Sequence, residues 1–527
     1  METFTSEERA ALTPYFTNLD GPVFALVNLP EVVKGALFAR YSRSAKSLRR
    51  LFLDEFREPA GEVARAPSIC TTRADQLYER VFSDYGDDSV AQLGGVHLAC
   101  EGASNILTKV LEWGRLMAYL EQSTRYVPYT DRPGGRWKYR VPAELDGHPV
   151  RARFVDTLDR AFETYARWIE PMREHWSARL PRPAGDGEGP WRMTIRAKAL
   201  DSLRGLLPAA TRSNVGIFGT GQAYEALLLR MRAQSLSEVR EYAELMLIEL
   251  NKVIPAFLKR LDRPERGGAW SRYLAATREA SVQAARRLLE GIEPEPRAEV
   301  TLTDFDPEGE VKVVAAALYA VSELPDDQLL AIARKLSTEE RAQVLAAYVG
   351  TRENRRHRPG RAFERTAYRF DVLGDYGAFR DLQRHRLLTL EWQPLSPRYG
   401  FVTPEELEEA GALADWTQVM NESAALHDAL STAGFAAVAS YAVAMAYRVR
   451  FYMELNAREA MHIIELRTTP QGHPAYRRIC QQMHRLIAEQ AGHRALAAAM
   501  QYADLSGGEA GRLSAEREAA RRRQPAP

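Results

Sequence analysis

PVFALVNLP, Pro22 to Pro30, and EVTLTDFDP, Glu299 to Pro307, are the stretches whose reading sets the fold. Each is a short run of β-favouring residues closed by a proline, and each reads as a strand. A helix rich in small residues follows each one closely, VVKGALFARYSRS after the first and VKVVAAALYAVSE after the second. The same strand-then-helix opening therefore occurs twice, roughly half a chain apart.

Outward from these openings, helical periodicity dominates. Leu37 to Phe56, Ser104 to Gln122, Ala152 to Trp176, Ala223 to Leu261, Glu310 to Ser322, Tyr376 to Leu390 and Arg458 to Gln490 all read as helices. The predicted class is α+β, mostly helical, with a unit of roughly 250 residues present in tandem. LPRPAGDGEGP (Leu180 to Pro190) is a loop inside the first half, and EGIEPEPR (Glu290 to Arg297) is the linker between halves. The domains read as 1–290 and 298–505, with 506–527 a charged, small-residue tail predicted to be disordered.

Bulk chemistry narrows the function. Lys+Arg 71 nearly cancels Asp+Glu 70, leaving a formal charge of +1. That balance gives no global field for a nucleic-acid backbone or an anionic membrane, so anionic ligands fall to local Arg clusters. The one basic run, ARRRQ, lies at the very end and reads as a solubilising tail. Three cysteines, Cys70, Cys100 and Cys480, make no disulfide framework and have no partner at metal spacing. A reducing cytoplasm and no metal are the expectations. The N-terminus METFTSEERAALTPYF lacks a signal-peptide layout. The uncharged run Leu430 to Tyr447 is Ala-rich and reads as a buried helix, so no membrane partner is expected.

Two segments of the second half carry the chemistry. In FRDLQRHRLLTLEWQPLSPRYGF, Phe379 to Phe401, helical spacing puts Arg380 and Arg384 on one face and Asp381 and His385 on the next. Asp381 would orient His385, and the arginines would offer paired donors to a phosphate or carboxylate. In NAREAMHIIELRTTP, Asn456 to Pro470, Asn456 and Glu459 have capping-box spacing at a helix N-terminus, itself an anion site. Arg458, His462 and Glu465 share one face of that helix. Taken alone, each segment also fits a capped helix with solvated charges.

Together the segments resemble the flavin-dependent thymidylate synthases (ThyX), whose signature is R-H-R-x-x-S-x-N-E-x-S-x-R-Y. Later that family has a helix that opens with N-x-R and ends with L-R. Arg384-His385-Arg386 resembles the R-H-R. Ser396 with Arg398-Tyr399 looks like the S-x-R-Y end, and Asn456, Arg458 and Leu466-Arg467 look like the later helix. HRPGRAFER (His357 to Arg365) stands where the family has an early His-containing segment. The resemblance implies FAD held by Arg384, His385, Arg386, Asn456, Arg458 and His462, with NADPH and methylenetetrahydrofolate as co-substrates. It implies that Ser396, Arg398 and Arg467 act on dUMP, methylated to dTMP. The chain departs from the pattern in four places. R-H-R and S-x-R-Y are two residues further apart, Thr389 stands where Ser is usual, Glu391-Trp392 replaces Asn-Glu, and SYAVAMAY (Ser440 to Tyr447) lacks the usual Arg before Leu-Pro.

The first half is similar to a faded copy. Ser89-Val90 falls in the segment ahead of the motif, and Trp113-Gly114-Arg115 takes the place of R-H-R. Glu121, Ser123, Arg125 and Tyr126 keep the E-x-S-x-R-Y end. Arg204 precedes Leu207-Pro208, and Arg232 stands at the final Arg, while Gly221 and Ala223 replace the Asn and Arg of N-x-R. By the resemblance, Ser123, Arg125, Arg204 and Arg232 bind the nucleotide in a copy that has lost its flavin groups. A homodimer imitating the family's tetramer is expected. The alternatives are a flavoprotein of this fold acting on another nucleotide, and an inactive nucleotide-binding or scaffold protein.

Overall fold

The computed structural model describes residues 2–29, 37, 41, 44–56, 95–182 and 188–506. The chain is 55% helical with two four-stranded sheets among the described residues. The first sheet comprises β1 (Val23–Leu26), β2 (Gly95–Ser104), β3 (Met117–Glu121) and β4 (Arg212–Thr220), in the order β1-β2-β4-β3. The second comprises β5 (Val300–Phe305), β6 (Ala367–Asp375), β7 (Leu388–Trp392) and β8 (Arg448–Asn456), in the order β5-β6-β8-β7. Both are antiparallel throughout, and the strand order is the same in each. Identical topology repeated along one chain is the structural mark of a tandem duplication.

Six of these eight strands do not show in the helix-dominated reading. Ser104 to Gln122 divides into a helix, Asn105–Leu111, and β3. Tyr376 to Leu390 likewise divides into a helix, Tyr376–Leu382, and the start of β7. The apolar runs are too short for periodicity to separate strand from helix, and sheet pairing decides. The run Leu430 to Tyr447 is not one helix. The helix Leu413–Thr432 ends there, and Ala436–Ala439 is followed by a single 3-10 turn. Ser89-Val90, Cys70, the loop core 183–187 and the tail beyond 506 lie outside the described residues.

The chain forms two compact units, each assembled from pieces of both sequence halves. Unit 1 holds 1–171, 202–294 and 406–444; unit 2 holds 172–201, 295–405 and 445–527. Inside unit 1, the Ala209 N–H donates to Val443 O at 2.8 Å and the Ala210 N–H to Tyr441 O at 3.0 Å. The Tyr441 hydroxyl donates to the buried Glu238 carboxylate at 2.6 Å, which also accepts from the Ser104 hydroxyl at 2.6 Å. The sheet of unit 1 is covered on both faces. Val23, Ala25, Val96, Leu98, Val215 and Ile217 enter one core; Phe24, Leu26 and Ala99 enter another with Leu12, Phe16 and Leu48.

The sheet of unit 2 alternates. Val449, Phe451, Met453 and Leu455 of β8 are buried, and so are Tyr368, Phe370 and Val372 of β6. This period of two puts apolar side chains on one face against the helix Pro474–Glu489. The opposite face carries cross-strand charge pairs, Arg450 with Asp371 at 2.5 Å and Arg369 with Glu454 at 2.9 Å. What matters for function is register. β7 begins at Leu388 opposite Leu455, so the turn before β7 meets the helix that starts just after β8.

Candidate active site

The site of unit 2 is built at that meeting point. β6 ends at Asp375, whose carboxylate caps the helix Tyr376–Leu382 by accepting from Ala378 N at 2.9 Å. All seven residues of that helix are buried, and it stops at Leu382. Arg384-His385-Arg386 therefore stands in the turn before β7, not on the helix. β8 ends at Asn456, the N-cap of the helix Ala457–Arg467, whose side chain accepts from Glu459 N at 2.9 Å. Only this half of a capping box forms. The Glu459 carboxylate turns to the imidazoles instead.

Its Oε1 lies 3.3 Å from His385 Nδ1, and its Oε2 lies 3.2 Å from His462 Nδ1. The two imidazoles meet edge to face with centroids 5.2 Å apart. On the far side of the His385 ring, Arg467 Nε donates to Nε2 at 2.9 Å. Another nitrogen of Arg467 donates to the Asp381 backbone carbonyl, and its Nη1 lies 3.8 Å from the Asp381 carboxylate. Asp381 also pairs with Arg384. The carboxylate on His385 Nδ1 is thus Glu459, where sequence spacing pointed to Asp381. The reason is that the helix ends at Leu382, so the helical offset from 381 to 385 does not apply.

Burial holds the His385 imidazole down to about 4, against the opposing pull of Glu459. Burial pushes the Glu459 carboxyl up, but the hydrogen bonds from His385 and His462 prevail and hold it near 2. Glu459 is therefore charged and His385 neutral at physiological pH. The ligand atoms of His385, Glu459 and His462 all lie within 4.8 Å of one another, spacing that two histidines and a carboxylate could use for a metal. A metal-bound imidazole usually donates its other N–H to an acceptor. Here that nitrogen faces Arg467, which has only donors. The group therefore reads as a hydrogen-bonded relay.

The remaining predicted residues are placed as follows. Arg458 Nε donates to Pro359 O at 2.9 Å, and its Nη1 lies 3.6 Å from Glu364, within the HRPGRAFER segment. Arg386 is exposed. Ser396 opens a 3-10 turn, Pro397–Tyr399, with Arg398 exposed within it. That turn lies beyond the far end of β7, where Gln393 N meets Arg450 O and Arg448 N meets Gly400 O. A strand of roughly 15 Å separates it from His385. The structure brings His385, His462, Arg467 and Arg384 together and sets Ser396 and Arg398 at the opposite end of the sheet.

In unit 1, Ser123 Oγ accepts from Arg125 N at 3.2 Å, and the Arg125 side chain is buried. Arg204 is buried in the 3-10 turn before Leu207. Arg232 is held by Glu244 at 2.7 Å and Asp262 at 2.9 Å, and donates to Leu261 O at 3.1 Å. Sequence reasoning missed the buried Lys109, which pairs with Glu112 at 2.7 Å and Glu121 at 3.4 Å. It also missed the relay role of Glu459, whose spacing suggested a cap.

Comparison with known proteins extends this duplication. The profile described as thymidylate synthase complementing protein matches the chain twice, over residues 36–256 and 301–491. The chain belongs to this family. It is a tandem ThyX chain, with one copy in each match. It is 38% identical over 520 residues to the "UPF0159 protein" of Chlamydia muridarum, covering 97% of this chain and 98% of that one. It is 29% identical over 514 residues to "UPF0159 protein Ta1429" of Thermoplasma acidophilum, covering 92% and 97%. A further relative is the "Flavin-dependent thymidylate synthase" of Clostridium tetani, 24% identical over 204 residues, 38% of this chain and 76% of that protein. In this ThyX chain no helix among the described residues is long and apolar enough to cross a membrane.

Proposed function

We propose that this chain is an FAD-dependent thymidylate synthase that methylates dUMP to dTMP, with NADPH and methylenetetrahydrofolate as co-substrates. The observation that carries the reading is the convergence of Arg384, His385 and Arg467 with the opening of the helix Ala457–Arg467, in a chain of the ThyX family. The donor set suits FAD. The helix N-terminus, Arg384, Arg386 and Arg458 would offer donors and positive charge to a diphosphate, and His385 is neutral beside them. When bound, the flavin supplies redox and one-carbon chemistry that no side chain offers.

The chain's own residues bind and orient. Arg467 holds the nucleotide and stabilises negative charge developing on the uracil carbonyls. Ser396 and Arg398, at the other end of the sheet, serve a nucleotide in a site completed by another copy of the domain. In the first copy, Ser123, Arg125, Arg204 and Arg232 serve nucleotide binding. A homodimer of duplicated chains reproduces four copies of the domain. Among the described residues, cysteine chemistry supports a flavin route. Cys100 and Cys480 are buried, and burial pushes both thiols up to about 12, too high for a nucleophile.

The test is the absorbance spectrum of purified protein, titrated with dUMP and followed by tritium release from dUMP labelled at C5. Flavin bands that shift with dUMP, and dUMP-dependent release, are expected. A yellow protein without release would turn the reading to a flavoprotein acting on another nucleotide. A colourless protein that refuses added FAD would sink it and leave a binding or scaffold role.

A further inference from the structure

His385 is wedged between two residues of one helix, Glu459 in its first turn and Arg467 at its end, about two turns apart. Arginine carries five N–H donors and no acceptor, so the nitrogen facing Arg467 Nε at 2.9 Å must offer a lone pair. A neutral imidazole with a lone pair on Nε2 has its proton on Nδ1, and Nδ1 faces the Glu459 carboxylate at 3.3 Å. The proton position is therefore set from both sides. Glu459 is itself fixed twice, its backbone by the Asn456 cap and its carboxylate by His462. Its side chain is 4% exposed, as is that of His385, so water offers neither group a substitute partner.

We propose that Glu459 is a positioning residue that locks His385 in its Nδ1–H form and thereby aims Arg467 at the nucleotide. The nucleotide half of this rests on the function proposed above. With Glu459 absent, the imidazole is free to carry its proton on Nε2. That proton would point at the Arg467 N–H, two donors facing one another, and the guanidinium would swing away. Arg467 would keep its charge and lose its direction. A purely structural Glu459 would affect stability and leave the tautomer unmoved.

The experiment uses full-length protein labelled with 15N-histidine, alongside Glu459→Leu and Glu459→Gln. Long-range 1H–15N correlation reports the tautomer, and the His385 resonance is identified by its loss in His385→Gln. Nδ1–H is expected in the wild type and in Glu459→Gln, whose amide oxygen still accepts, and a shift toward Nε2–H in Glu459→Leu. Affinity for dUMP, read on the flavin spectrum, should fall about tenfold in Glu459→Leu, the scale of one charge-assisted hydrogen bond, and recover in Glu459→Gln.

An Nε2–H tautomer in the wild type overturns the proposal, with no need for the Leu variant to fold. So does a dUMP affinity in Glu459→Leu equal to that of the wild type. A stoichiometric metal in the purified protein, lost on His462→Ala, would replace the relay with a ligand set. If the wild type binds neither FAD nor dUMP, the functional reading fails, and the tautomer alone still decides the relay.

Discussion

Burial pushes His385 down to about 4 from an ordinary 6.5, while Glu459 pulls the other way. As pH falls below 6.5, the unfolded chain takes up a proton that the native ring refuses until about 4. The stabilisation from neutral His385 is therefore complete above 6.5 and is lost progressively between 6.5 and 4. Glu459, held near 2 against an ordinary 4.5, extends the loss to lower pH. Between pH 7 and pH 5 the His385 contribution amounts to about 2 kcal/mol. Urea unfolding of the wild type and His385→Gln at both pH values should show the smaller pH difference in the variant. Equal differences would mean that the ring is already charged at pH 5. None of this was legible at Glu459 in the sequence, because a glutamate three residues past an N-cap has a local use that fully accounts for it.

The helix Ala457–Arg467 is the element on which the site depends, and two of the contacts that hold it lend themselves to substitution. At its start, Asn456 caps Glu459 N; Asn456→Ala should cost about 1 kcal/mol, while Asn456→Asp should keep most of the stability. Chemical denaturation of both variants checks this, and equal losses would show that the cap contributes nothing. Nearer its end, Glu465 takes Arg352 by both oxygens at 2.6 and 2.7 Å, with both side chains 1% exposed. Tyr502 seals the pair, its N–H on Glu465 and its hydroxyl on Arg352 O. Glu465→Ala leaves a buried guanidinium uncompensated and should cost about 3–5 kcal/mol, whereas Arg352→Met with Glu465→Leu should lose much less. Thermal unfolding of the single and double variants separates these outcomes. At this scale the sequence located the helix and its cap, and placed Glu465 on a face with Arg458 and His462 without showing its partner Arg352, which lies over a hundred residues away.

For the whole molecule, the question is what duplication leaves each copy able to do. The strand order is preserved in both copies, but the first has Trp113-Gly114-Arg115 where the second has Arg384-His385-Arg386. In the first copy a buried Lys109 takes the acids Glu112 and Glu121, and Arg232 is held by Glu244 and Asp262. One flavin per chain is the expected stoichiometry on the proposed reading, measured as flavin absorbance against protein concentration at saturation. Two per chain would show that the first copy retains a flavin site despite its altered motif.

The sequence by itself determined the duplication, the α+β class and the family, and it named Arg384, His385, His462 and Arg467, because these follow from local pattern and from motifs repeated in order. It did not determine six of the eight strands, since short apolar runs become strands only when neighbours pair with them. Nor did it determine that 406–444 packs in the unit of the first sheet and 172–201 in the unit of the second. Only tertiary structure decided which carboxylate His385 meets. That choice depends on where a helix stops and how β7 registers against β8, and both are set by contacts between residues far apart in the chain.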